Sequence, residues 1–150
     1  MTEAETWDLS VLYNGFDDPR WRADFRLALE TAHEALGFVK ALPLEQFNAE
    51  TAGEVLLRID RVLNLHSKTV TYASMMHVSD SARQDALNML EALDAAGADN
   101  TQAMSALARL ILKTGSAERF AQEPSLAAYA AFFRRQAELA PHTLPEATEA

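Results

Sequence analysis

An all-α fold, a bundle of long antiparallel helices, is predicted by three observations. Apolar residues recur at steps of three and four over long stretches. Helix punctuation stands at Asp18-Pro19, Asn48, Gly115-Ser116 and Pro124. No segment alternates apolar and polar residues for long enough to make a strand. The 150 residues are expected to form one domain. Its parts are an irregular arm at 1–17, a helical body at 18–140 and a frayed tail at 141–150.

The arm comes first. Trp7 to Pro19 reads WDLSVLYNGFDDP, which places Trp7, Leu9, Leu12, Tyr13 and Phe16 in a stretch without helical spacing. A solvated tail would not hold so many large apolar side chains, so the arm is expected to dock on the body. Asn14-Gly15 is expected to make a turn, since both residue types tolerate positive φ. Asp18 can accept from the free amides of a first helical turn, and Pro19 at the first helical position loses no hydrogen bond.

The first helix is expected from Pro19 to about Leu36, or a turn further, with Trp21, Phe25, Leu29, Ala32 and Leu36 on one face. Gly37 weakens its end and Pro43 stops it. Asn48 is a good N-cap for the second helix, and Glu50 and Glu54 suit its positive first turns. Its stripe is Ala52, Val55, Leu56, Ile59, Val62, Leu63, His66, Val70, Ala73 and Met76. That stripe runs for about 28 residues, or roughly 40 Å of helix. Asp80 or Ser81 is the expected cap of a third helix. Its face is Leu87, Leu90, Leu93, Met104, Leu107, Leu110 and Ile111, with a softer middle at Gly97–Asn100. Gly115-Ser116 ends it. A short fourth piece spans Ala117–Gln122. A fifth helix is expected to begin near Pro124, to carry Leu126, Tyr129, Ala130, Phe133 and Ala137 on one side, and to close at Pro141.

Composition bounds the function. A net charge of −9 disfavours nucleic acid and anionic membranes, which need clustered Lys and Arg. The longest apolar run, Leu126–Phe133, is far too short to span a bilayer. There is no cysteine, hence no disulfide, no thiol nucleophile and no thiolate metal site. The acidic start MTEAETWD lacks the basic, then apolar pattern of a signal peptide, and a cytoplasmic location is expected.

The chain offers no catalytic constellation, so no catalytic, cofactor-binding or metal-ligating residue is assigned. A zinc peptidase helix needs His-Glu-x-x-His, and the residue four after His33 is Gly37. Glu30 and His33 form one Glu-x-x-His, but a di-iron bundle needs a second copy, and His66, His77 and His142 follow Leu63, Ser74 and Leu139 at that spacing. His66 and His77 lie roughly 16 Å apart along a helix, too far to share one ion. His33 is expected on a helix surface near a C-terminus and His66 as a hydrogen-bonded core residue. Met75, Met76, Met89 and Met104 are expected to fill core gaps. Arg134-Arg135 and Arg20, Arg22 and Arg26 are expected on solvated faces. Glycine-rich phosphate loops, serine-centred elbows and calcium loops are absent.

WDLSVLYNGFDDP (7–19), YASMMHVSDS (72–81) and APHTLPEA (140–147) together resemble the N-terminal region of oligoendopeptidase F, a zinc metallopeptidase of the thimet oligopeptidase superfamily. Their order and spacing fit that region, from Trp7 to about Glu146. The resemblance implies a non-catalytic helical domain that forms part of the wall of a channel for short peptides. The zinc-binding His-Glu-x-x-His helix of such peptidases lies in a later region, and no position here matches it. The implied zinc therefore belongs to the parent enzyme, and this chain alone is expected to hydrolyse nothing. The implied partner is the catalytic half, with short peptides met only indirectly and a homodimer through the long helices as a further expectation. The alternative is a free-standing helical interaction module that kept the fold without the enzyme.

Overall fold

In the computed structural model the described residues are 8–143. The expected docking of Trp7 and, of the tail expected to fray at 141–150, residues 144–150 lie outside them. Five α-helices follow one another: α1 (Pro19–Ala41), α2 (Ala49–Ser79), α3 (Gln84–Thr114), α4 (Ala117–Ala121) and α5 (Ala130–Leu139). Short 3-10 turns stand at Leu44–Gln46, Pro124–Tyr129 and Ala140–His142. Among the described residues there is no strand. The all-α expectation therefore holds.

Helix boundaries follow local chemistry. Asp18 accepts from the Arg20 amide, and Pro19 opens α1. At α2, the Asn48 side chain accepts from the Thr51 amide while the Thr51 hydroxyl accepts from the Asn48 amide, a complete capping box. Gly115 ends α3 in the left-handed region with φ 59°, which only glycine enters without cost.

The expected cap of the third helix is corrected. Asp80 closes α2 instead, its carboxylate bonded to the Ala82 amide in a tight turn, and α3 starts at Gln84 after Arg83. The expected fifth helix is also corrected at its start. Pro124–Tyr129 is a 3-10 segment kinked at Leu126 (φ −109°, ψ 15°), and α-helix begins only at Ala130. Two anchors hold this distortion: Leu126 is buried against Gly53 of α2, and the Tyr129 hydroxyl donates to Asp60 at 2.8 Å. Among the described residues of the arm, only Gly15 takes positive φ; Asn14 does not.

α1, α2 and α3 make a three-helix bundle in which each packs on the other two. Cross-helix contacts give the directions. Trp21 near the start of α1 meets Tyr72 near the end of α2, and His66 of α2 bonds to Leu93 of α3. Successive helices are therefore antiparallel. α4 and α5 cap the bundle beside the start of α2 and the end of α3.

The core falls into three clusters along the bundle. At the arm end, Tyr13, Phe16, Trp21, Tyr72 and Leu93 pack together. Small side chains fill the waist, where Ala32, Ala35 and Ala96 surround Val62. At the cap end, Phe47, Ile59, Leu107, Ile111, Phe120 and Phe133 pack together. The α2 stripe departs from expectation at three places: Leu63 is exposed, and Thr69 and Tyr72 are buried. Thr69 enters the core because its hydroxyl donates back to the Leu65 carbonyl, which hides its polarity within the helix.

Candidate functional site: a closed end and an open groove

Two regions carry the side chains the sequence singles out. The first is the seat of the arm. Backbone bonds from Leu12 and Tyr13 to the Leu9 carbonyl coil the arm, and Gly15 reverses it. Tyr13 and Phe16 then insert beside Trp21 and Tyr72, with ring centroids 4.9–5.7 Å apart. Each such edge-on or tilted pair adds about 0.5–1.5 kcal/mol beyond its buried area. Leu9 and Leu12 are half-buried against the same cluster, while Val11 is exposed.

Polar groups close this seat. Tyr72 Oη accepts from the Gly15 amide at 2.8 Å, and Asp18 Oδ2 accepts from the Asn14 amide at 2.8 Å. Tyr13 donates its hydroxyl to Asp24 Oδ2 at 2.6 Å, and Lys68 Nζ donates to that same oxygen at 3.0 Å. Arg20 pairs with Asp18 at 2.8 Å, and Arg83 lies over the Phe16 ring. The Arg20 guanidinium, with the Asn14 and Arg20 amides, holds the Asp18 carboxyl well below the usual carboxylate range. The Tyr13 hydroxyl and then Lys68 lower Asp24, while burial, and then Asp24, raise Tyr13 far above the ordinary phenol value. These groups fasten a backbone.

The second region is a groove at the opposite end, where the last turns of α3, the start of α4 and the end of α5 meet. It encloses about 380 Å³. Small residues make the recess: Gly115 turns the chain away, and Ala108, Ala117, Ala137 and Ala140 leave space a larger side chain would fill. Ile111 forms the buried floor. Leu112 and Leu139 are 41% and 46% exposed on its walls, and Arg109, Glu118 and Gln136 supply its polar groups. Pro141 and Thr143 complete the lining.

The histidines take separate places. His33 is 87% exposed, 3.9 Å from Asp99, in the middle of α1 rather than near its end, because that helix continues to Ala41. Glu30 turns to Arg26, at 3.9 Å. His66 Nε2 donates to the Leu93 carbonyl at 2.8 Å, as a hydrogen-bonded core histidine should. Its ring fills the space beside Gly97, where an added Cβ would lie 3.0 Å from Nε2. His77 is half-buried, its Nδ1 without a partner among the described residues, and His142 is exposed. Among the described residues no three His, Asp or Glu side chains converge as a metal site.

Met75, Met76, Met89 and Met104 are half-buried. Met76 and Met89 pack on the arm cluster and Met104 on the cap cluster. Arg22 and Arg26 are exposed but ion-paired, and Arg134 and Arg135 are exposed. Among the described residues no helix is long and apolar enough to cross a membrane. No single spacing announces the groove, because three separate elements build it. The only sequence signal was the run of small residues around Gly115 and Ala137.

No protein-family model, no curated protein and no solved structure matches the chain.

Proposed function

We propose that this chain is a non-catalytic helical domain that works by association, as the N-terminal wall segment of an oligoendopeptidase F-like zinc metallopeptidase acting in the cytoplasm. One observation carries this reading. Two of the segments that resemble that family, 7–19 and 72–81, meet in space: Tyr72 packs on Tyr13, Phe16 and Trp21 and accepts from the Gly15 amide. The third, 140–147, begins on the groove wall with Ala140, Pro141 and Thr143. The segments that carry the likeness thus sit at the two joints of the fold. Hydrolysis belongs to a catalytic part that docks against this wall and holds zinc through its own His-Glu-x-x-His helix.

Mixing the purified chain with the separately expressed catalytic region of an oligoendopeptidase F tests this. The expected result is co-elution and faster cleavage of an internally quenched short peptide than by the catalytic region alone. The chain by itself, with zinc added, is expected to cleave nothing. One tightly held zinc per chain together with cleavage by the isolated chain would overturn the assignment.

A second reading, a free-standing helical interaction module, is favoured by the open groove itself. It predicts no co-elution with any such catalytic region. A homodimer through the long helices, an expectation of the peptidase reading, fits this one as well. Leu57 and Leu63 are exposed on α2 but lie six residues apart and so on different faces. Sedimentation equilibrium at high concentration decides it: a monomer throughout excludes the dimer.

A further inference from the structure

Of the five asparagines in the chain, at 14, 48, 64, 88 and 100, Asn14 alone is followed by glycine. That pair has a chemistry of its own. The backbone nitrogen after an asparagine can attack the asparagine's side-chain carbonyl, and glycine, without a Cβ, leaves that nitrogen uncrowded. Asn14 is exposed in the turn of the arm, outside any helix. The other four asparagines precede Ala49, Leu65, Met89 and Thr101, which all belong to helices.

The fold restrains the reacting backbone. The Gly15 amide donates to Tyr72 Oη at 2.8 Å, so its hydrogen points at a buried phenol. The Gly15 carbonyl accepts from the Asp18 amide at 3.2 Å, and the Asn14 amide donates to Asp18 Oδ2 at 2.8 Å. Bonds on both sides of the Asn14–Gly15 peptide thus fix its plane. Ring closure requires that peptide to rotate and the Gly15 nitrogen to shed its proton, and both require the Tyr72 bond to open. Local opening of this kind is an equilibrium separate from global unfolding.

We propose that Asn14 is a site of self-modification whose rate is set by the Tyr72 latch, and that the product keeps the arm open. The Gly15 nitrogen bonds to Asn14 Cγ, the Cγ–Nδ2 bond breaks, and ammonia leaves with the Gly15 amide hydrogen. Water then opens the cyclic imide at either carbonyl. One opening gives aspartate; the other gives isoaspartate, with the main chain routed through the former side chain. Water enters, ammonia leaves, and nothing is oxidised or reduced. Both products add negative charge to a turn that already holds Asp17 and Asp18. Isoaspartate also lengthens the backbone between Tyr13 and Phe16, whose rings both pack on Trp21 and Tyr72 at their present spacing. The change runs one way, so the modified fraction records how often the arm has opened. It needs nothing from the peptidase reading.

The test incubates the full chain at one mildly alkaline pH, folded and, in parallel, unfolded in urea. Trypsin frees residues 1–20 as one peptide, because Arg20 is the first basic residue. Mass spectrometry reads the conversion of its asparagine, and digestion in ¹⁸O water marks any conversion that occurs during digestion. The unfolded chain is expected to convert well ahead of the folded one, and Asn14 ahead of the other asparagines. Tyr72→Phe, which keeps the ring, should convert about fivefold faster than the folded wild type, the effect of one net hydrogen bond on the opening equilibrium. In the wild type, sub-denaturing urea should raise Asn14 conversion in step with hydrogen exchange of the Gly15 amide and ahead of exchange in α3, a measurement that does not depend on how Tyr72→Phe folds. Asn14→Asp should be cut sooner within the arm by protease, with α3 as protected as before.

Equal conversion in the folded and unfolded chains would overturn the proposal. So would a Tyr72→Phe rate equal to wild type with unchanged circular dichroism, or conversion that follows the α3 amides rather than Gly15. Modified chain, separated by ion exchange, whose arm resists protease as well as the unmodified chain's would overturn it equally.

Discussion

The two ends of the bundle use the same helices for opposite purposes. At the arm end large rings interlock, the backbone amides of Asn14 and Gly15 find acceptors, and the nearby cations are paired. At the cap end small residues leave a recess, two leucines stand half-exposed, and Arg109, Arg134 and Arg135 are exposed with no carboxylate partner among the described residues. The difference teaches how a surface becomes available. A fold closes where aromatic and polar groups can both be satisfied, and stays open where alanine and glycine hold neighbouring elements without filling the space between them.

The sharpest break in that comparison is Trp21→Ala. Trp21 is fully buried and touches Tyr13, Phe16, Phe25 and Tyr72. Its removal is expected to cost about 3–5 kcal/mol in urea unfolding. The amides of residues 9–16 should also lose hydrogen-exchange protection before those of α3 do.

Gly97→Ala comes next. In an open helix alanine would gain about 1 kcal/mol over glycine. Here the new Cβ would lie 3.0 Å from His66 Nε2, so the ring must shift by a few tenths of an ångström against its bond to the Leu93 carbonyl, and the helix gain is expected to be cancelled to within about 1 kcal/mol. Adding His66→Ala to Gly97→Ala should then cost less than His66→Ala costs alone, which a double-mutant cycle measures.

Tyr72→Phe keeps the ring and removes the acceptor of the Gly15 amide, for an expected loss of about 1 kcal/mol. It should raise the susceptibility of the arm to limited proteolysis while leaving α3 protected.

Acid gives a graded test. Asp18 and Asp24 both have lowered folded-state values, so their stabilisation is complete above the ordinary aspartate value of about 3.9 and disappears as pH falls through the folded values. Stability should therefore decline below about pH 4 and do so less steeply in Asp18→Asn, which keeps a capping oxygen but cannot titrate.

The smallest effect is expected at the other end. Leu112→Ser or Leu139→Ser should change stability by no more than about 0.5 kcal/mol, the usual range for surface substitutions. A loss above about 2 kcal/mol would mean that the groove walls hold the cap together.

Much of the fold was legible because helix ends are local chemistry. Pro19, Asn48 and Gly115 act on their own neighbours, and each ends or opens a helix where its type predicts. Faces were less legible where a polar residue hides its polarity. Thr69 satisfies its hydroxyl within its own turn, and Tyr72 reaches the arm with its hydroxyl, so neither reads as core from hydropathy alone. The stretch Gly97–Asn100, soft by composition, lies in the waist, where Gly97 admits His66 and Asn100 is buried with its side-chain oxygen unpartnered among the described residues. Closeness of helices there needs small residues, which a hydrophobic pattern scores as weakness. The kink at Leu126 was illegible because its causes, Gly53 and Asp60, lie far away in the sequence. The groove was illegible for the same reason.

The equal length of α2 and α3, 31 residues each, has a mechanical consequence. Helices of that length make a rod of roughly 45 Å with the strap buckled at one tip and the cleft at the other. A spectroscopic reporter on solvent-facing Val11 therefore stands clear of anything lodged beside Leu112. Any change in its signal on loading the cleft has to be transmitted by bending or twisting of the shaft, so that one label would measure how stiff the rod is.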